Sequence, residues 1–436
     1  MSEWAYTRIR DLLETSYAGD WGTTPLPGNA RILRATDIDS DGRINGQGAL
    51  RQISPATIQA KRLQSGDIML EASGGSPEKP VGRVAFFFGE ERATPFLTSN
   101  FYKTLRPSKN TNARFLHWAL LRFYRQPEIL QFQQQTTGII NLKFQDYLDA
   151  SIYTPRSVKE QRLIARILDT LDTQIQQTEA LIAKLKKVKE GLLHDLLTRG
   201  IDENGRLRPR YEQAPELYKE SPLGLIPREW IPSSGVEACK EIVVGIVIKP
   251  TQYYRASGVP ILRSANVREN YLSLDNLIHM SPQDHKAMSK SAVKPGDVLT
   301  VRTGYPGTSC VVDGSIEQAN CVDIIISRTG EGLDPNFWSL WINSDFGKGH
   351  VLKSQGGLAQ QHFNVGDLKK IQLPIPTMTE QLKIVRSWKA LQKQVQQETT
   401  QLAKLQAQKH GLMDDLLTGR VRVTPLLEQA QEAIPA

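Results

Sequence analysis

Asp284-His-Lys286 and Asp367-Leu-Lys369 have the acid-x-Lys shape that helps hold a divalent metal in many nucleases. A pattern this short arises by chance in a chain of 436 residues, so it assigns no reaction by itself. A phosphate-binding loop needs Ser or Thr after its Gly-Lys pair, and Gly347-Lys348 is followed by Gly349. No Asn is followed by Pro, which removes the Asn-Pro-Pro-aromatic loop that holds an extruded adenine for methyl transfer. Cys239, Cys310 and Cys321 form no CxxC pair, and their odd number argues against a disulfide framework and fits a reducing compartment. The seven histidines are scattered without metal-ligand spacing. These residues lead to the expectation that the chain catalyses nothing and holds no metal or cofactor. An enzyme with an unrecognised motif stays open as an alternative, and so does a coiled-coil scaffold that touches no nucleic acid.

A second set of residues suits recognition. Base edges are read by Arg, Lys, Asn, Gln, Ser and Thr on exposed loops, with basic and small polar residues on the backbone alongside. Arg34 and Thr36 stand in Arg-Ala-Thr after one strand-like run, and Arg263, Ser264 and Asn266 stand in Arg-Ser-Ala-Asn after another. The loop Ser73-Gly74-Gly75 to Lys79 can approach a phosphate closely, and its counterpart Arg302-Thr303-Gly-Tyr305 adds an arginine and an aromatic ring. Lys103, with Arg106 and Lys109, forms a basic cluster. Two amide-rich loops complete the set, one carrying Thr136 and Thr137 after three glutamines, the other Lys353, Gln355, Gln360 and Gln361. Each of these has a plain reading too, as a surface ion pair, a structural turn or a solvated linker. The net charge of +8 is consistent with an acidic partner.

The elements that position these loops are set by a duplication. Shifted by 220 residues, Glu160–Arg199 lies on Glu380–Gly419 without a gap, with about 18 of 40 positions identical. The match continues loosely upstream, where Ser65-Gly66-Asp67-Ile68 answers to Pro295-Gly296-Asp297-Val298. Both repeats carry apolar residues at alternating spacings of three and four: Ile164, Leu168, Leu171, Ile175, Ile182 and Leu185, repeated as Ile384, Trp388, Leu391, Val395, Leu402 and Leu405. That spacing predicts two long helices packing on each other as an antiparallel pair, with each helix lying on its own module as the simpler alternative. Thr178/Glu398 and Lys189/Lys409 are polar seam positions in both copies, a device that fixes register and partner choice. Gly191 and Gly411 interrupt the helical pattern at the same place, which suggests a close helix crossing, a partner surface or fraying. A helix of 40 residues is about 60 Å long, enough to hold two modules more than one DNA turn apart.

Between the helices the chain changes character, to short β-rich runs broken by Gly, Pro, Asn and Asp, with helical stretches near Asn112–Tyr124 and Pro335–Ile342. The expected division is module 1 at 1–155, helix at 156–199, linker at 200–221, module 2 at 222–376, helix at 377–420 and tail at 421–436. With 39% hydrophobic and 23% charged residues the chain has the composition of a globular protein. Its longest apolar run, Ile242–Ile248, is too short to span a membrane, so a cytoplasmic location is expected.

Three features together resemble the specificity subunits of type I restriction-modification enzymes: Gly191-Leu-Leu-His-Asp-Leu-Leu-Thr-Arg-Gly-Ile201, Ser221-Pro-Leu-Gly-Leu-Ile-Pro-Arg-Glu-Trp230, and the Glu-Gln helix starts at Glu160 and Glu380. The resemblance covers nearly the whole chain and is specific for architecture rather than for individual contacts. It implies an α+β fold with two target-recognition domains separated by two long antiparallel coiled-coil helices, related by an internal pseudo-twofold. It further implies that each domain reads half of a split double-stranded DNA site, while the helices set the spacer and dock two methyltransferase subunits, with restriction subunits in a complete system. S-adenosylmethionine, ATP and magnesium would then belong to the partners.

Overall fold

The computed structural model describes residues 3–23, 27–89, 94–136, 138–354 and 363–432. The packing divides them into two compact units. The first is residues 1–180 with 400–436, the second residues 181–399, so each unit holds one module and half of each long helix.

In the first unit, the strands Leu13–Ala18, Tyr102–Pro107, Ile68–Glu71 and Val84–Phe86 lie side by side in that order as an antiparallel sheet. A second sheet sets Ala30–Leu33 parallel to Phe96–Thr98 and antiparallel to Ala49–Arg51. Trp4–Arg8 pairs with Ser151–Pro155 just ahead of the long helix. The sheets bury Ile68, Leu70, Val84 and Leu105 against helix α1, Ala113–Tyr124, which starts where Asn112 Oδ1 accepts the Phe115 amide at 2.9 Å. The second unit repeats this plan. Cys239–Val244, Ile324–Thr329, Val298–Val301 and Ser309–Val311 form the four-stranded sheet, and Val259–Leu262 runs parallel to Ala319–Cys321.

The long helices are α2, Val158–Thr198, and α4, Met378–Leu417; α3, Pro335–Asn343, is the second module's counterpart of α1. Within the first unit Ile164, Ala165 and Leu168 join the module core together with Met413, Leu416 and Leu417 of α4. Within the second, Leu196 and Leu197 meet Ile384, Val385 and Trp388 in the module core. The helix ends therefore pack on a module and on the other helix at once. Towards the middle the stripe continues with Ile175, Ile182, Val395 and Leu405 buried and Leu171, Leu185, Leu391 and Leu402 half-buried.

The shared polar seam residues resolve differently. Lys189 Nζ donates to Gln392 Oε1 at 2.8 Å, and Lys409 reaches Asp172, the residue that answers to Gln392 in the repeat. Each lysine also lies over an indole, Lys189 5.6 Å from Trp388 and Lys409 4.7 Å from Trp118. Thr178 bonds its own helix, at the Gln174 carbonyl. Gly191 and Gly411 mark no close crossing. Both are exposed, and a Cβ on either would meet nothing within 4 Å. Among the described residues no helix is long and apolar enough to cross a membrane.

The Glu-Gln helix starts acquire a physical meaning. Gln161 Oε1 accepts the Asn112 amide at 2.7 Å while its Nε2 donates to the Pro155 carbonyl; Gln381 does the same to Asp334 and Pro376. Each glutamine thus ties the long helix to the short one. Glu160, fully buried, accepts from the Trp4 indole and from Arg422 beyond the end of α4. Glu380 accepts from the Trp230 indole, the Ile201 amide and Arg208 beyond the end of α2. The chain reaches both arginines through a left-handed glycine, Gly200 at φ +66° and Gly419 at φ +69°. A Cβ on Gly200 would stand 2.1 Å from Glu380 Oε1, so only glycine fits there.

Candidate nucleic-acid interface

In each module the parallel strand pair delivers the candidate residues to one end of the sheet. Leu33 pairs with Thr98, and its carbonyl accepts the Ser99 amide at 2.9 Å, which sets Arg34 beside Ser99. Phe101 O then accepts the amides of Ala72 and Ser73, and Leu142 N bonds Ala72 O. The strand Ser73–Gly75 pairs with the hairpin of Gln133–Thr136 and Ile139–Leu142. Arg34, Ser73, Gly74, Gly75, Lys103 and Thr136, scattered over about a hundred residues of chain, are thereby gathered by backbone hydrogen bonds.

The second module has the same construction. Leu262 pairs with Cys321 and accepts the Val322 amide, placing Arg263 beside Val322, while Phe363 N bonds Arg302 O as Leu142 N bonds Ala72 O. The glycines of the two loops correspond, Gly74 at φ +99° and Gly304 at φ +92°, both open to solvent. What the loops present differs. Tyr305 is 81% exposed and Ile248, on the neighbouring loop, 75% exposed, where the first module offers Ser73, Phe101 and Lys79.

Residues 1–187 match the family model described as the type I restriction modification DNA specificity domain. That stretch is the first module with most of its helix, and the rest of the chain repeats it. The specificity subunit named for the type I restriction enzyme MjaX of Methanocaldococcus jannaschii is 24% identical over 431 residues, 97% of this chain and 94% of the relative. That of EcoKI from Escherichia coli K12 is 23% identical over 374 residues, 81% of this chain and 74% of the relative. The S subunit of a type I system from M. genitalium superposes with a TM-score of 0.57 at 14% identity, over 95% of this chain and 96% of that one. Over nearly its whole length the chain is thus similar to specificity subunits of type I restriction-modification systems.

Within this interface several candidate side chains are already engaged. Arg34 bonds Asp37, which accepts from its Nε and its backbone amide at 2.9 Å; burial disfavours the charged carboxyl, but these bonds outweigh it and hold Asp37 below the usual range. Asn266, at the corresponding turn, is buried, and its amide bonds Ser273, Asp275 and Arg263. It is a turn residue with no face left for DNA. Arg263 reaches the Asn276 carbonyl at 2.7 Å. Arg302 is held by Asp323 at 2.6 Å, itself left-handed at φ +53°, and Thr303 bonds the same carboxylate. Arg106 pairs with the buried Asp67 at 2.7 Å, so it braces a turn, while the Lys103 ammonium lies 5.4 Å from the Phe144 ring. Thr36, Lys79 and Tyr305 stand exposed, and Ser264 is half-buried. Thr137, Gln355, Gln360 and Gln361 lie outside the described residues; Lys353 falls in the helix Asp345–Ser354.

The two acid-x-Lys patterns are parts of helix starts. Asp367 accepts the Asn364 amide at 3.0 Å, and Asp284 is bonded by the Ser281 hydroxyl at 2.7 Å. Sequence reasoning missed Ile248, Val247, Phe101 and Trp21, all substantially exposed. The signal was present in Ile242–Ile248, where the strand ends at Val244 and the apolar run continues past Gly245 onto a loop.

Proposed function

We propose that the chain is a type I specificity subunit that reads a split duplex target, one half-site per module, and leaves all chemistry to its partners. One observation carries the reading: a single scaffold, repeated in its sheets, its parallel strand pair and its helix starts, offers different exposed side chains from equivalent loops. Duplicated architecture with divergent tips is what two half-sites of different sequence require. A single-function enzyme would need to keep its reactive residues in both copies or concentrate them in one.

The long helices support a role in docking a repeated partner. Arg166, Gln177, Lys184 and Gly191 recur as Arg386, Gln397, Lys404 and Gly411, all exposed. Their spacings of eleven, seven and seven residues are near whole numbers of turns, so they form a line along each helix, opposite the apolar seam. Among the described residues, the six longer side chains make no hydrogen bond or ion pair. No contact among the described residues demands their sameness, whereas two copies of one partner would. Those partners are two methyltransferase subunits, with restriction subunits where the system includes them. They carry S-adenosylmethionine, ATP and magnesium, and the assembly works on cytoplasmic DNA.

Co-expression with the cognate methyltransferase subunit followed by long-read methylation mapping tests the reading. The expected result is one bipartite motif with a constant gap, and duplex binding that weakens steeply as salt rises. Methyl transfer by the purified chain alone, or salt-independent binding, would overturn it.

A further inference from the structure

The two modules are fastened to the helices by unequal means. In the first unit the module core, Gln161 and the Asp169 pairing with Arg114 and Trp118 all grip the first three turns of α2. Among the described residues, one side chain of the module reaches α2 beyond them. Arg43 donates to Asp172 Oδ1 at 3.2 Å and to Glu179 Oε2 at 2.8 Å, with its side chain only 20% exposed. Asp172 is bonded at the same time by Lys409 of α4 and, at 2.7 Å, by Gln176. One arginine of the recognition module thus touches α2 directly and α4 through a shared carboxylate.

The loop bearing Arg43 is built to hold it there. Asp39 Oδ1 accepts the amides of Asp41 and Arg43 at 2.9 Å, and Arg83, paired with Glu71, donates to the carbonyls of Ile38 and Asp39. A cavity of about 310 Å³ lined by Arg43, Phe88, Trp118 and Asp172 lies at this junction, so the link is a strut rather than packed surface.

In the second unit the corresponding loop is Glu269-Asn270-Tyr271, placed by the pairing of Val267 with Leu272 where the first has Ile38 with Ile44. Asn270 bonds Ser339 and Asn343 of the module's own helix α3. The positions answering to Asp172 and Glu179 are Gln392 and Thr399, which can form no ion pair, and a cavity of about 500 Å³ opens between Tyr271, Lys189 and Trp388.

We infer that Arg43 is a positioning residue that stops the first module from rocking on the helices and so fixes the gap at which its half-site is read. The grip near Gln161 and Asp169 defines an axis. Glu179, ten residues beyond Asp169, is about 15 Å further along the helix, where a strut has leverage. This rests on the split-target reading above.

The test maps methylation by the complex on duplexes whose spacer is native, one base pair shorter or one longer. Arg43→Ala is expected to keep the half-site sequences and to raise methylation at the off-length spacers roughly tenfold relative to the native one. Arg43→Lys, able to keep only one of the two contacts, should fall between. Glu179→Gln removes one leg at a half-exposed position and gives the same direction of change should Arg43→Ala fail to fold. Wild-type spacer strictness in both Arg43→Ala and Glu179→Gln overturns the inference, and an altered half-site in Arg43→Ala overturns it by making Arg43 a base contact. If the wild-type complex shows no constant gap, the split-target reading itself falls.

Discussion

At the scale of residues, the buried glutamates that open the long helices set the stability of each unit. Glu380 and Arg208 are almost fully enclosed, with side chains 6% and 11% exposed, so Glu380→Ala leaves a guanidinium without its partner and is expected to cost about 3 to 5 kcal/mol in urea denaturation. Glu160→Ala should cost less, about 1 to 2 kcal/mol, because Arg422 is 36% exposed and can return to water. His117 contributes a pH dependence confined to the first unit, since Ser339 takes its place in the second. Burial, with help from the Arg114 charge, holds the His117 pKa well below its ordinary 6.5. The unfolded chain therefore takes up the proton first, so stability is full above about pH 6.5 and declines as the pH falls below it. His117→Gln should flatten that decline in denaturation midpoints followed between pH 7.5 and pH 5, as roughly bracketed by the histidine range.

At the scale of elements, the helices were legible and the reasons for their repeated residues were not. Spacing alone placed Ile164, Leu168, Ile384 and Trp388 on a buried stripe, because a period near 3.5 needs no tertiary information. It could not show that Glu160 answers to Arg422, nor that Gln161 caps a helix 49 residues upstream, because those partners are distant in sequence. The recognition loops were legible as loops, yet Asn266 looked like a base reader until burial showed its amide engaged in a turn. Two predictions belong here. Four residues inserted after Thr178 add about 6 Å of helix and should lengthen the recognised gap by at most about two base pairs, with both half-sites unchanged in methylation maps. Lys184→Glu and Lys404→Glu, each on its own, should leave one methyltransferase subunit bound by native mass spectrometry, and the double variant none; full occupancy of the double variant would place docking elsewhere.

At the scale of the whole molecule, the C-terminal segment belongs to the first module as firmly as its own strands. Val423 is 2% exposed inside that module's core, and Arg422 lies 5.3 Å from the Trp4 ring as well as on Glu160. Truncation after Thr418 should lower the melting midpoint of the first unit and leave that of the second in place, which hydrogen exchange resolved by unit would show. The same closure imposes an order on synthesis. Residues 1–155 can leave the ribosome and form their sheets early, but the core they build is missing Met413, Leu416, Leu417 and Val423 until synthesis has passed residue 423. The second unit, which ends at residue 399, holds all its parts sooner. The module made first is thus the one finished last, and until then its apolar face is surface for a chaperone to guard.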